Sequence, residues 1–173
     1  VQGTAADRAA IASALSYGGW KAKPESLLFA GNGRQALTAA FSALVPPGGR
    51  IGFEALTYPV AKAAALRLGF STAALVGDEQ GVTPDALKAA HRIAPLHAIY
   101  LQPTAQNPTG ATMSRERREE IVATVKRLKR PDNAPVHIVE DAVYSFLELR
   151  APPPLAALAP DAVVLVDSFS KRV

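Results

Sequence analysis

The stretch His97–Gly110, "HAIYLQPTAQNPTG", decides the fold. Its first half is a short apolar run rich in β-favouring residues, too short for a helix and bounded by proline, so "HAIYLQP" reads as a buried strand. Its second half is a hard turn. Asn107 precedes Pro108 and is pushed away from helical geometry, and Gly110 permits a left-handed residue. Ser114 then caps a helix predicted to reach about Lys129. The same unit recurs on either side. "SLLFA" (26–30), "RIGFEA" (50–55), "TAALV" (72–76), "VHIVED" (136–141) and "AVVLVDS" (162–168) read as further strands. The segments 35–44, 58–69 and 83–93 carry helical spacing, the last with Thr83 as N-cap and Pro84 at the first helical position. "APPPLAALAP" (151–160) reads as a proline-rich surface loop. Short apolar strands alternating with helices predict a three-layer α/β/α fold around a mainly parallel sheet, covered on both faces.

Composition bounds the function without naming it. The chain has 173 residues, 49% hydrophobic and 20% charged, which suffices for one sizeable core. It has no cysteine, which excludes disulfides, thiolate metal sites and cysteine nucleophiles and fits a reducing, cytoplasmic setting. No metal site is expected. No run of about 20 apolar residues suggests a membrane span, and the first residues lack the basic-then-apolar pattern of a signal peptide. The net charge is +4. The densest basic cluster, Lys126–Arg130, closes a helix that opens with acidic residues, as a solvated helix end in its own dipole would.

Ligands of such sheets bind beyond the carboxyl ends of the strands, so the turn after each strand is where the chemistry is sought. After the first comes "AGNGRQAL". Gly31 and Gly33 allow a tight turn, and N–H groups at the following helix start, around Arg34 and Gln35, can hold a phosphate. The same residues also fit a plain strand-to-helix turn, or a dinucleotide fingerprint with Glu54 as the ribose acid. After the second strand, Tyr58 can stack on a planar ligand or simply pack over a helix start. After the fourth, Asn107 offers a fixed amide donor, or only a turn. After the fifth, Asp141 can cap a helix, or it and Tyr144, on one helical face, can orient a heterocycle. After the sixth come the hydroxyls of Ser168 and Ser170 and the amine of Lys171, which can form a Schiff base if desolvated or serve as a surface cation. Together these turns supply a phosphate cradle, a stacking ring, an oxygen donor, a carboxylate for a ring nitrogen and an amine for an aldehyde. Pyridoxal 5′-phosphate (PLP) matches all of them.

In its "NPTG", "ED..Y" and "SFSK" motifs the chain resembles the large domain of fold-type I, class I/II PLP-dependent aminotransferases. With "GNGRQAL" and "DSFSKRV" it is most similar to the aminotransferase-like domain of MocR-type GntR-family transcriptional regulators. The resemblance covers nearly the whole of residues 1–173. It implies that Lys171 forms the Schiff base, Asp141 faces the pyridine nitrogen, Asn107 and Tyr144 bind the ring oxygen and Tyr58 stacks on the ring. Gly33, Arg34, Gln35 and Ser168, with Ser170, would hold the phosphate. Lys171, Asp141 and Tyr144 would be the catalytic set. The ligand would be an amino acid or 2-oxo acid, and the intact protein a homodimer, with DNA engaged only through an N-terminal domain if it is a regulator. The resemblance further implies that an N-terminal arm, a last strand and a small domain lie outside this chain. Amino-group transfer and effector sensing both follow from it. The nicotinamide reading leaves "NPTG", "ED..Y" and "SFSK" unexplained.

Overall fold

A computed structural model describes residues 3–172. Its centre is a five-stranded sheet in the order β2-β1-β5-β6-β7. The strands are β1 (Arg50–Glu54), β2 (Ser71–Leu75), β5 (Ala98–Leu101), β6 (His137–Asp141) and β7 (Val163–Val166), and every neighbouring pair is parallel. A two-residue hairpin, β3 (Gly77–Asp78) with β4 (Gly81–Val82), projects between β2 and the next helix. Parallel neighbours need a crossover, and helices supply it. They are α3 (Pro59–Arg67), α4 (Pro84–Ile93), α5 (Arg115–Arg127) and the single turn α6 (Leu155–Leu158), while α2 (Gly33–Leu44) precedes β1 and packs on the same face as α3. An outlying helix, α1 (Ala5–Leu15), opens with a capping box between Thr4 and Asp7.

Side-chain alternation divides the core in two. Ala98 and Tyr100 of β5 join Ile51 and Phe53 of β1 under α2 and α3, where Phe41 closes an aromatic cluster with Phe53 and Tyr100. Ile99 and Leu101 join Leu75 and Ile138 under α4, α5 and α6. The three-layer parallel architecture expected from the sequence is therefore present. Gly52 sits where β1 is tightest. A Cβ there would stand 2.9 Å from Leu75 Cδ1 and 3.2 Å from Ile99 Cγ2, so the residue lets neighbouring strands share a large side chain each.

Three expectations are corrected. Residues 26–30 form no strand; Pro24–Ser26 is a 3₁₀ turn, and Leu28 is 83% exposed on a segment outside the sheet. The apolar run is real, but no described strand flanks it. Residues 151–160 are not a surface loop. Ala151, Leu155 and Ala156 are buried, because the two oxygens of Glu140 accept the N–H groups of Leu155 and Ala156 at 3.1 and 3.0 Å and draw the segment onto the sheet. Finally, no helix begins at Asp141, which ends β6. Tyr144 precedes a 3₁₀ turn, Ser145–Leu147, so the two do not share a helical face.

Candidate functional site

Because all five strands run the same way, their carboxyl ends gather Glu54, Gln102, Asp141 and Asp167 along one edge. The residues after β5 form a tight excursion that is pinned to its own base. Gln106 accepts the Thr109 N–H at 2.9 Å, and its amide donates to Leu56 O at 2.7 Å. Arg118 of α5, fully buried, donates to Pro103 O, Met113 O, Pro153 O and Thr104 Oγ1 at 2.7–3.2 Å and so ties both ends of the excursion together. Asn107, half-buried and joined to Pro108 by a cis peptide bond, stands at its tip. Its side chain bonds to no described residue.

Asp141 is buried beneath this tip. Its Oδ2 accepts the Tyr100 hydroxyl at 2.5 Å and the Gln102 amide at 3.4 Å, and its Oδ1 accepts the Val143 N–H at 3.1 Å. Burial pushes its carboxyl above the usual range, against the lowering by Tyr100 and Val143. The Tyr100 phenol is pushed far up by its own burial and then by the Asp141 charge. Glu54, also buried, is pushed up to about 7 by desolvation, and Asp167 is raised by the same cause. The Asp141 charge adds to both upward shifts. Buried carboxyls raised by desolvation and by a neighbouring carboxylate's charge favour a proton or a cationic group among them.

The second half of the site is the start of α2. Asn32 caps it, accepting the Gln35 N–H at 3.0 Å through its side chain and the Ala36 N–H at 3.0 Å through its carbonyl. The Gln35 N–H is thus taken. Among the described residues, the N–H groups of Gly33 and Arg34 donate to no protein acceptor. Gly33 faces Ser168, and a Cβ on it would lie 3.4 Å from Ser168 Cβ. The bare backbone of the helix start and the residue after β7 therefore form two sides of one cradle. Ser168 caps the 3₁₀ turn Phe169–Lys171, and its hydroxyl is shared with Ser170 at 3.1 Å. Lys171 ends that turn, exposed. Arg172 folds back onto Asp167 at 2.5 Å, with its guanidinium 5.2 Å from the Phe146 ring centroid. Tyr58 caps α3 and packs against the Phe53–Tyr100 cluster.

The structure thus joins Gly33 with Ser168, and Asn107 with Asp141 through Gln102. Tyr144 is half-buried, and its hydroxyl bonds to no described residue. The dinucleotide reading fails on two counts: no described strand leads into Gly31, and Glu54 is turned inward to Gln102 and Gln106. Sequence reasoning missed Tyr100 and Gln102. Both lie on the same strand face by the two-residue period, which was available as a signal.

A parallel sheet with a helix start that leaves N–H groups unbonded and a buried carboxylate at its carboxyl edge has the features of the class of phosphorylated-cofactor α/β proteins. Within it, the family described as aminotransferase class I and II matches residues 1–173, and the chain belongs to that family. It is 31% identical over 159 residues to the uncharacterized HTH-type transcriptional regulator YdeF of Bacillus subtilis, covering 92% of this chain and 33% of that protein. It is 34% identical over 113 residues to an aromatic amino acid aminotransferase of Schizosaccharomyces pombe, covering 62% of this chain and 22% of the enzyme. Among solved structures, the α-aminoadipate aminotransferase LysN of Thermus thermophilus superposes with a TM-score of 0.81 at 28% identity, over 99% of this chain and 43% of LysN. The chain spans about a third of the length of YdeF and less than half of LysN. No described helix is long and apolar enough to cross a membrane.

Proposed function

We propose that this chain is the PLP-binding large domain of an aminotransferase-like protein, cytoplasmic and working as a homodimer on an amino acid and a 2-oxo acid. The observation that carries the reading is Asp141. A carboxylate this deeply buried, without a cationic partner among the described residues and raised by desolvation, fits the protonated nitrogen of a pyridine ring. The start of α2 beside Ser168 fits the cofactor's phosphate, since the Gly33 and Arg34 N–H groups have no acceptor among the described residues. When bound, PLP supplies an electron sink for the substrate's α-carbon. Gly33 and Arg34 would hold the phosphate through their N–H groups, with the hydroxyls of Ser168 and Ser170 beside them. The side chains of Arg34 and Gln35 flank the same turn. Asn107 and Tyr144 would donate to the ring oxygen, and Tyr58 would cover the ring face. Asp141 would keep the ring nitrogen protonated. Lys171 would hold the cofactor through its amine and would serve as the base for the substrate's α-proton. The test is borohydride reduction of the full-length protein. A stable covalent adduct is expected in the parent and not in Lys171→Ala, and an adduct surviving in that variant would move the attachment point elsewhere.

A second reading uses the same residues to sense a small amine or amino acid in a transcription regulator. The 92% coverage by an HTH-type regulator supports it. A winged-helix segment upstream of residue 1, with DNA binding that responds to an amino acid, would favour it over the enzyme.

A further inference from the structure

We propose that Gln102 is a positioning residue, a single amide that couples the donor side chain at Asn107 to the carboxylate of Asp141. The proposal rests on the PLP reading and goes beyond it. Gln102 is 3% exposed and comes directly after the last residue of β5. The register pairs Leu101 with Glu140, so one step further Gln102 comes level with Asp141. Its Oε1 accepts the Asn107 N–H at 3.3 Å, and its Nε2 donates to Asp141 Oδ2 at 3.4 Å. Both contacts demand the same orientation of the amide. An N–H needs the oxygen and a carboxylate needs the NH₂ group, so a flipped amide would satisfy neither.

The bridge is itself anchored. Glu54 Oε2 accepts the Gln102 N–H at 3.0 Å and the Gln106 amide at 3.3 Å, and Gln106 holds Thr109 beyond the tip. Asn107 is therefore held from both sides through one carboxylate of the neighbouring strand β1. The two groups joined by the bridge address opposite parts of a pyridine ring, the oxygen and the nitrogen. A shift of either is passed to the other through an amide that has no rotational freedom once both ends are bonded.

Glutamine is suited to this and its near-isosteres are not. Methionine fills the same volume without polar atoms. Glutamate keeps an acceptor for the Asn107 N–H but turns an oxygen towards Asp141 Oδ2, where the amide NH₂ had donated. Loss of the amide leaves the Asn107 N–H without its acceptor and Asp141 Oδ2 with the Tyr100 hydroxyl alone.

The experiment compares the full-length protein with Gln102→Met and Gln102→Glu, using PLP and an analogue that lacks the ring hydroxyl. Dissociation constants and the pH midpoint of the bound cofactor's visible absorbance are read. Gln102→Met is expected to weaken PLP about tenfold, the scale of one or two lost hydrogen bonds. For the analogue the penalty should shrink to about threefold or less, because Asn107 then has no ring oxygen to meet. Gln102→Glu should move the absorbance midpoint relative to the parent through its effect on Asp141, and it serves alone if the methionine variant does not fold. Equal penalties for both ligands, or an unmoved midpoint in Gln102→Glu, overturn the proposal. A parent protein that binds no PLP overturns the cofactor reading itself and the bridge with it.

Discussion

At the scale of single residues, burial alone does not separate a group that holds the fold from one proposed to meet a ligand. Arg118 is of the first kind. It is fully buried and spends its guanidinium on three carbonyls and a hydroxyl, with the buried Glu140 charge acting on it from beyond ion-pair distance. Arg118→Met should destabilise the protein by roughly 3 kcal/mol or more, since each stranded buried acceptor costs about 1–3 kcal/mol. Arg118→Lys should not restore it, because one ammonium cannot match the planar fork. Chemical denaturation of both variants checks this, and a lysine variant as stable as the parent refutes it. Asp141 is of the second kind. Asp141→Asn keeps an oxygen for the Val143 N–H and removes a charge that burial penalises. Its unfolding midpoint at pH 8 should hold or rise. The loaded protein should meanwhile exchange the α-hydrogen of an amino acid about 10²-fold more slowly, the usual loss when a preorganised charge is removed. Parent-like exchange would remove Asp141 from the mechanism.

At the scale of elements, the strands and helices of the sheet were legible because each carries its own period. β5 and β7 were readable from short apolar runs, α4 from its Thr-Pro start and α5 from its Ser cap. Two segments were not, and both fail for one reason: their state depends on a partner far away in sequence. The run at 26–30 has the composition of a strand but no neighbour to pair with among the described residues. The prolines at 151–154 suggest a solvent-facing loop, yet Glu140 claims the N–H groups just beyond them. Of the proposed site, Gly33, Asn107, Asp141, Ser168 and Lys171 were singled out from turn chemistry. Tyr100 and Gln102 were missed: their two-residue spacing puts them on one strand face, but nothing local tells a core tyrosine from one that bonds a carboxylate 41 residues on. The start of α2 gives the test at this scale. Gly33→Ala meets Ser168 Cβ only at contact distance and should fold as the parent does. Gly33→Val places more atoms in the same gap. It should leave the unfolding midpoint unchanged within about 0.5 kcal/mol, as substitutions away from the core do, while weakening PLP binding at least about tenfold through lost N–H contacts. Equal PLP affinity in the two variants would show that the cradle is not where the phosphate lies.

At the scale of the whole molecule, the parallel sheet sorts its titratable groups by end. Glu54, Asp141 and Asp167 stand at the carboxyl edge, while His97 and His137 open β5 and β6 at the other. The two ends respond to pH in opposite senses. Glu54 has a folded value of about 7 against 4.5 unfolded. Its stabilising contribution is complete below 4.5 and is lost as pH rises to about 7. His97 and His137 are both held below 6.5, by burial first and then by the Arg130 charge. His97 Nδ1 accepts the Arg50 N–H at 3.1 Å, which a protonated ring cannot do. The histidine contribution is complete above 6.5 and is lost as pH falls through the lowered folded value. Stability of the cofactor-free protein should therefore fall on both sides of a maximum between these limits. Glu54→Gln keeps an oxygen for the Gln102 N–H and cannot ionise. It should gain on the order of 3 kcal/mol over the parent at pH 8, for a rise from 4.5 to about 7 at about 1.4 kcal/mol per unit, and gain nothing at pH 4. His97→Asn, whose side-chain oxygen can accept the Arg50 N–H, should flatten the acid side alone. Denaturation curves collected from pH 4 to 9 on the parent and both variants decide it. If Glu54→Gln tracks the parent at every pH, the Glu54 carboxyl is not neutral in the fold, and the alkaline limb has another source.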